Sequence, residues 1–267
     1  IASGGLAVWI SEYLGWFGAF ALMAVSLLLV TVMIVAWPLA RQPRPQLASE
    51  SAKRATKSIV SVARQAWGGI VKLPNVWAVV LFILLFKAGD AFLGQMVGPF
   101  WDRSGYSRAE YGLISGTLGT VLSIAGSLAG GWLCKTWGLG RALWILGALQ
   151  ALSNLGYAVA AFSPSTAALV YGASMFESVT GGLGTAPFLT FLMRICDRQV
   201  SAAQYAALSA IFALSGTIAA TMSGFVAQSL GFMTFFALSF AVALPAFAVL
   251  PWVLPLTKRQ GAAQIES

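Results

Sequence analysis

The chain is predicted to be all-α, a polytopic helical membrane protein, on three observations. Hydrophobic residues make up 58% of it and charged residues only 9%, where a soluble domain carries about 25% charged residues. Mean hydropathy is +0.82. Apolar runs of about twenty residues, the length of helix that crosses a hydrocarbon core, recur along the sequence. A transmembrane barrel is excluded, because its strands are about ten residues of alternating polarity and these runs are continuously apolar.

The charge balance and residue usage remove other classes. A net charge of +8 would suit nucleic acid, but the basic residues sit in short connectors between apolar runs, as the positive-inside rule expects, so no nucleic-acid partner is expected. There is no histidine, which removes imidazole-dependent metal sites and leaves proton chemistry to carboxylates. Cys134 and Cys196 fall at the ends of different spans, on a side expected to keep thiols reduced, and outside any nucleophile-and-base arrangement. No GxxxxGK[ST] phosphate loop occurs. Neither an enzyme nor a cofactor or metal is therefore expected.

The elements follow in order. From Ile1 to about Ser11 runs an apolar stretch too short to span, with no basic segment before it, which reads as the end of a helix that began earlier. After a turn at Glu12 to Gly15, a full span covers Trp16 to Trp37. Three prolines between 38 and 45 make an extended linker, since proline removes a donor and disfavours helix before it. From Ser49 to Ile70, Ile59, Val62, Ala63, Ala66 and Ile70 share one helical face while Lys53, Arg54, Lys57 and Arg64 take the other. That pattern suits a basic helix on a membrane surface, and equally a solvated connector. Six spans follow: Asn75 to Trp101, Ala109 to Cys134, Arg141 to Phe162, Thr166 to Met193, Gln204 to Leu230 and Phe232 to Leu256.

Their connectors fix an orientation. The segment from Arg41 to Lys72 holds seven basic residues against Glu50, Lys135 to Arg141 carries +2 and Arg194 to Arg198 carries +1, while the intervening connectors are neutral. The basic connectors are expected in the cytoplasm, and with them the C-terminus. This is the layout of the back of a transporter whose two six-helix halves are joined by a cytosolic loop, as in the major facilitator superfamily. Residues 1–37 would then end the N-terminal bundle, 38–73 form the central linker with its amphipathic basic helix, 74–257 form the C-terminal six-span bundle and 258–267 a cytoplasmic tail.

The run from Leu81 to Trp101 places Lys87 and Asp90 at mid-span, where each charge costs about 2.5–3.5 kcal/mol on insertion scales and so faces the bundle interior or a water-filled path. Three residues apart, they can pair. One reading makes them a structural bridge; the other has Lys87 attract an anionic group of a substrate and Asp90 accept a proton. Glu177 lies at similar depth with no partner nearby in sequence, which favours a transport or conformational role. Gln95, Gln150, Asn154, Thr180 and Thr185 suit hydrogen bonding to sugar hydroxyls or peptide amides, or the joining of helices. Gln150 and Asn154 share a face. Gly112 with Gly116, and Gly126 with Gly130, have the spacing of close helix packing. Gly181, Gly182 and Gly184 would loosen the span beside Glu177, as a gate needs, or pack closely.

Four segments carry a resemblance: KAGDAFLGQMVGPFW (87–101), GYSRAEYGLISGTLGTV (105–121), GLGRALWILGALQALSNLGYAV (138–159) and ESVTGGLGTAPFLTFLMRICDRQVSAAQYAALSA (177–210). They resemble the muropeptide permeases, the AmpG-like branch of the major facilitator superfamily, in the family's order over roughly Leu81 to Gly231. The resemblance implies a permease of the Gram-negative inner membrane that imports anhydro-muropeptides, sugar-peptide fragments of peptidoglycan, with protons for cell-wall recycling. Asp90, Gln150, Asn154, Glu177 and Gly181 match its pattern. The superfamily's loop signature departs here, with Lys135 and Thr136 where Asp-Arg is usual, although Gly131, Gly138 and Arg141 remain. Transport of another amphipathic solute, such as a drug or acyl-CoA-like molecule, and a non-transporting membrane scaffold are the alternatives; three charges at mid-depth oppose the scaffold.

Overall fold

The computed structural model describes residues 2–36, 61, 64–71, 73–197 and 201–263. The proline linker expected over 38–45 and most of the basic helix expected from Ser49 lie outside them. Helix α1 runs Ala2–Ala36 and is broken at Gly15, whose φ of 68° and ψ of 171° lie where a side chain is strained. Residues 64–71 form helix α2. The bundle then comprises α3 (Val76–Phe86), α4 (Ala88–Arg103), the single turn α5 (Arg108–Tyr111) leading into a π-helical segment (Gly112–Leu118), α6 (Gly119–Trp137), α7 (Leu139–Phe162), α8 (Ala167–Arg194) and α9 (Ser201–Ala263). Gly231, at φ 76° and ψ 163°, divides α9 into two arms at the turn expected from the sequence.

Two of the expected spans are present, as Val76–Arg103 and Arg108–Trp137, but neither is a regular α-helix throughout. The run Asn75 to Trp101 is not one helix: Lys87, at φ −105° and ψ 1°, ends α3 and starts α4. The span from Ala109 to Cys134 contains seven residues of π-helix, a widened coil that appears at functional sites. Among the described residues, five helical stretches are long and apolar enough to cross a membrane. Helix α8 is not one of them, because its serines, threonines, glycines and Glu177 lower its hydropathy, yet its 28 residues reach about 42 Å at 1.5 Å per residue.

Helix α6 packs on α8, α8 on α7, and α3, α4 and α7 on α9, while α1 touches α5 and the π segment. Two apolar clusters fill the interior. Phe82, Phe86, Leu143, Phe188 and Phe191 belong to one; Leu93, Trp101, Tyr157, Phe235 and Phe236 to the other. Helices α3 and α4 divide between them, and α7 and α8 contribute one end to each. Outward-pointing side chains such as Leu128, Phe162 and Phe225 are exposed, the surface a helical bundle presents to hydrocarbon.

Part of the amphipathic pattern of the basic segment is present in α2, where Arg64 is exposed and Ala66 and Ile70 are buried. Its apolar face, however, is directed at protein rather than lipid: Ile70 joins the first apolar cluster, and Gln204 donates to the Ala66 carbonyl at 3.4 Å. Docking on the bundle covers Ala66 and Ile70, while Trp67 and Val71 of the same helix stay exposed.

Candidate functional site

A polar layer lies between the two apolar clusters, built from the α3–α4 break, the middle of α7 and the middle of α8. Lys87 stands at the break with only 8% of its surface exposed. Its Nζ donates to Asp90 Oδ2 at 3.1 Å and to the Gly181 carbonyl of α8 at 3.3 Å. The break also leaves the Lys87 carbonyl to accept from Ala91 N at 2.9 Å, so the first turn of α4 is closed around the pair. Gln150 of α7 donates its side-chain amide to the same Asp90 oxygen. Lys87 and Gln150 thus hold the carboxylate directly and α8 holds it through Lys87, each contact offsetting part of the cost of burying the pair.

Glu177 lines a cavity of about 280 Å³ with Lys87, Asp90, Ser115, Ser178 and Thr185. A second cavity of about 460 Å³ reaches Lys87, Asp90 and Thr185 from the α9 side, against Phe188 and Phe212. The charged pair therefore separates a polar chamber from an apolar one. No hydrogen bond or ion pair reaches the Glu177 carboxylate among the described residues, whereas Asp90 has two donors. Two carboxylates in one chamber, one held and one open, can bind a cationic or hydroxyl-bearing group, or hold one proton between them.

The other expected residues divide. Thr185 donates to the Gly181 carbonyl at 2.6 Å, so that carbonyl serves both Thr185 and Lys87. Asn154 is fully buried one turn from Gln150, its amide nitrogen and oxygen both without a hydrogen-bond partner. Thr180 is buried and turned back to the Phe176 and Glu177 carbonyls, at 2.8 and 3.1 Å, and lines neither cavity. Gln95 is exposed on α4 and lines neither.

Two of the three glycines of α8 pack closely on neighbouring helices. Helix α8 is continuous through Gly181, Gly182 and Gly184. A Cβ on Gly182 would collide with the Ser123 carbonyl of α6, and one on Gly184 with the Gln150 side chain. Gly126 and Gly130 of α6 press in the same way on the Val179 and Leu183 carbonyls of α8. Reading single residues missed the small hydroxyls of the chamber, Ser115, Thr120, Ser123 and Ser178. For the first three the signal was the run of serine, threonine and glycine from Ser115 to Ser123, in which no single residue stands out.

Comparison with known proteins agrees with this architecture. The chain is 35% identical over 252 residues to the anhydromuropeptide permease of Escherichia coli strain K12, covering 94% of this chain and 50% of that protein. It is 26% identical over 266 residues to the putative transporter AmpG 2 of Rickettsia felis, covering 96% and 61%. An uncharacterized Haemophilus influenzae protein is 29% identical over 184 residues, covering 66% and 43%. The chain spans about half the length of the first of these relatives. The sequence profile described as the Major Facilitator Superfamily matches residues 1–220, from the first arm of α1 across the polar layer and into α9, and on that match the chain belongs to the Major Facilitator Superfamily.

Proposed function

We propose that this chain supplies the C-terminal six-span bundle, residues 74–257, of a transporter that imports anhydro-muropeptides together with protons across the bacterial inner membrane. Residues 1–37 end the N-terminal bundle, 38–73 are the cytoplasmic linker, and the tail from 258 lies in the cytoplasm. The rest of the N-terminal half completes the substrate path, since alternating access requires two bundles rocking about a site between them.

The observation that carries this reading is the pairing of a held carboxylate, Asp90, with an open one, Glu177, in one chamber. Similarity to an anhydromuropeptide permease supports the substrate class. Sugar hydroxyls and peptide carboxylates of such a ligand suit the hydroxyl-lined chamber and Lys87, and Glu177 is the proton carrier. Gln150 positions Asp90, and Thr185 shares with Lys87 the Gly181 carbonyl.

Uptake of a labelled anhydro-disaccharide peptide into vesicles carrying the full-length protein tests this, with and without an imposed proton gradient. Saturable uptake that rises with the gradient is expected, and Glu177→Gln abolishes the gradient's effect. Saturable uptake indifferent to the gradient would sink proton coupling, and no uptake would sink the substrate class.

A further inference from the structure

The chamber on the α9 side of Lys87 and Asp90 differs in chemistry from the one that holds Glu177. Its volume of about 460 Å³ lies between Phe188 and Leu189 of α8 and Phe212, Ala213 and Gly216 of α9, within the range of small-molecule pockets. Phe188 is stacked on Phe86 of α3 and meets Phe212 edge-on, both with ring centroids 5.4 Å apart, so the apolar wall is fixed from behind. Gly216 brings no Cβ, and the space where one would stand is open. Thr185 and Ser215 are the hydroxyls of the lining. Both donate to carbonyls of their own helices, Gly181 at 2.6 Å and Phe212 at 2.7 Å, which leaves neither proton for a ligand.

Lys87 lines both chambers and is the cation of each among the described residues. An ammonium has three donors, of which Asp90 and the Gly181 carbonyl take two. The third remains for an anion where the chambers meet. A ligand that spans the two therefore needs a hydroxyl-rich part, an anionic group beside Lys87 and an apolar part against the phenylalanines. An anhydro-muropeptide has these parts in that order. One sugar ring carries its hydroxyls freely, and the other bears the acidic arm to which the peptide is attached. That second ring is closed on itself by an ether bridge, which replaces two hydroxyls by one oxygen and makes it the less polar of the two.

We infer that the apolar chamber between α8 and α9 is the subsite of the bridged ring, and that Phe188, Leu189 and Phe212 reject the same ring once its bridge is hydrolysed. This deepens the substrate reading proposed above and rests on it. Hydrolysis adds one water across the bridge and leaves two hydroxyls in place of the ether. In this chamber both would lose water and face carbon, and a polar group buried without a partner is unfavourable. The bridged ring buries its C–H surface there with no such penalty.

The test uses the full-length protein in vesicles without an imposed proton gradient, so that coupling does not enter. Uptake efficiency, maximal rate over KM, is compared for a labelled anhydro-disaccharide peptide and for the same compound with its bridge hydrolysed. The unaltered protein should prefer the bridged compound by on the order of 100-fold, the scale on which an apolar pocket rejects an added hydroxyl. Leu189→Gln and Phe212→Gln each supply an amide that donates and accepts, and should cut the preference to about tenfold or less, mainly by raising uptake of the hydrolysed compound. Leu189→Met, which keeps the wall apolar, should preserve it. An unchanged preference in both glutamine variants would overturn the subsite and leave the substrate class standing, as would equal uptake of the two compounds by the unaltered protein. Equal loss of both compounds in both variants would overturn it also, because the chamber would then serve packing. Uptake of neither compound by the unaltered protein would overturn the substrate class and the subsite together.

Discussion

Gln150 donates to the same oxygen of Asp90 that Lys87 holds at 3.1 Å. The carboxylate is thereby locked between α7 and the α3–α4 break. Removing one partner of a buried pair costs about 3–5 kcal/mol, because the remaining charge stays buried. Lys87→Ala and Asp90→Ala should therefore each lower the melting temperature of the purified protein in detergent, and the double variant should lose less than the sum. A coupling of about 1 kcal/mol or more is expected for residues in direct contact. Additive losses would show that the pair contributes nothing as a unit.

Close approach of α6 and α8 depends on glycines at defined positions. Gly130 presses on the Leu183 carbonyl, whereas its neighbour Gly131 meets nothing within 4 Å. Gly130→Ala should destabilise by about 1–3 kcal/mol, the usual cost of overpacking. Gly131→Ala, in the same helix, should be neutral or stabilising by up to about 1 kcal/mol from helix propensity. Thermal melts of the two single variants check this, and equal melting temperatures would refute the packing role.

Helix limits were legible wherever chemistry acts locally. Gly15 and Gly231 ended helices because only glycine takes a positive φ without strain, and the small-residue spacing of Gly126 and Gly130 announced a close contact. The break at Lys87 was not legible. Residues 81–86 run on apolar and helix-forming, and the chain interrupts them because Lys87 and Asp90 find partners on α7 and α8, far away in sequence. For the same reason Gly182 and Gly184 could be read as loose until their neighbours Ser123 and Gln150 were in place. The carboxylates were found as charges in apolar runs, but their division into held and open depends on Gln150, which reaches Asp90 across 60 positions.

Cys196 follows α8 and is buried, its thiol donating to the Leu192 carbonyl at 3.1 Å. Burial pushes that thiol up to about 11 from an ordinary 9.0, so thiolate is scarce at neutral pH in the folded protein and the thiol reacts slowly. A maleimide dye should label Cys196 only as the protein melts. A pKa raised on folding contributes stability that is intact below the unfolded value and is lost as pH rises through the folded one. That contribution should fall between about pH 9 and 11 and be missing in Cys196→Ala. Rapid labelling of the cold, folded protein would contradict the buried position.

Gln204 links three segments, accepting from Asp197 N at 2.6 Å and donating to the Ala66 carbonyl of α2 at 3.4 Å. Gly69 of α2 lies directly against its amide, with no room for a Cβ. Among the described residues, the stretch of α2 from 64 to 71 is held on the bundle by this contact and by the burial of Ala66 and Ile70. Gln204→Ala should free α2 while leaving the spans intact. Arg64, already exposed, then becomes part of a local opening that trypsin can enter, since cleavage follows the open population. Cutting after Arg64 should accelerate by about fivefold to tenfold for the loss of roughly 1 kcal/mol in one buried hydrogen bond, with the melting temperature of the bundle unchanged. If the cutting rate at Arg64 equals that of the unaltered protein, the docking of α2 rests on Ala66 and Ile70 and not on Gln204.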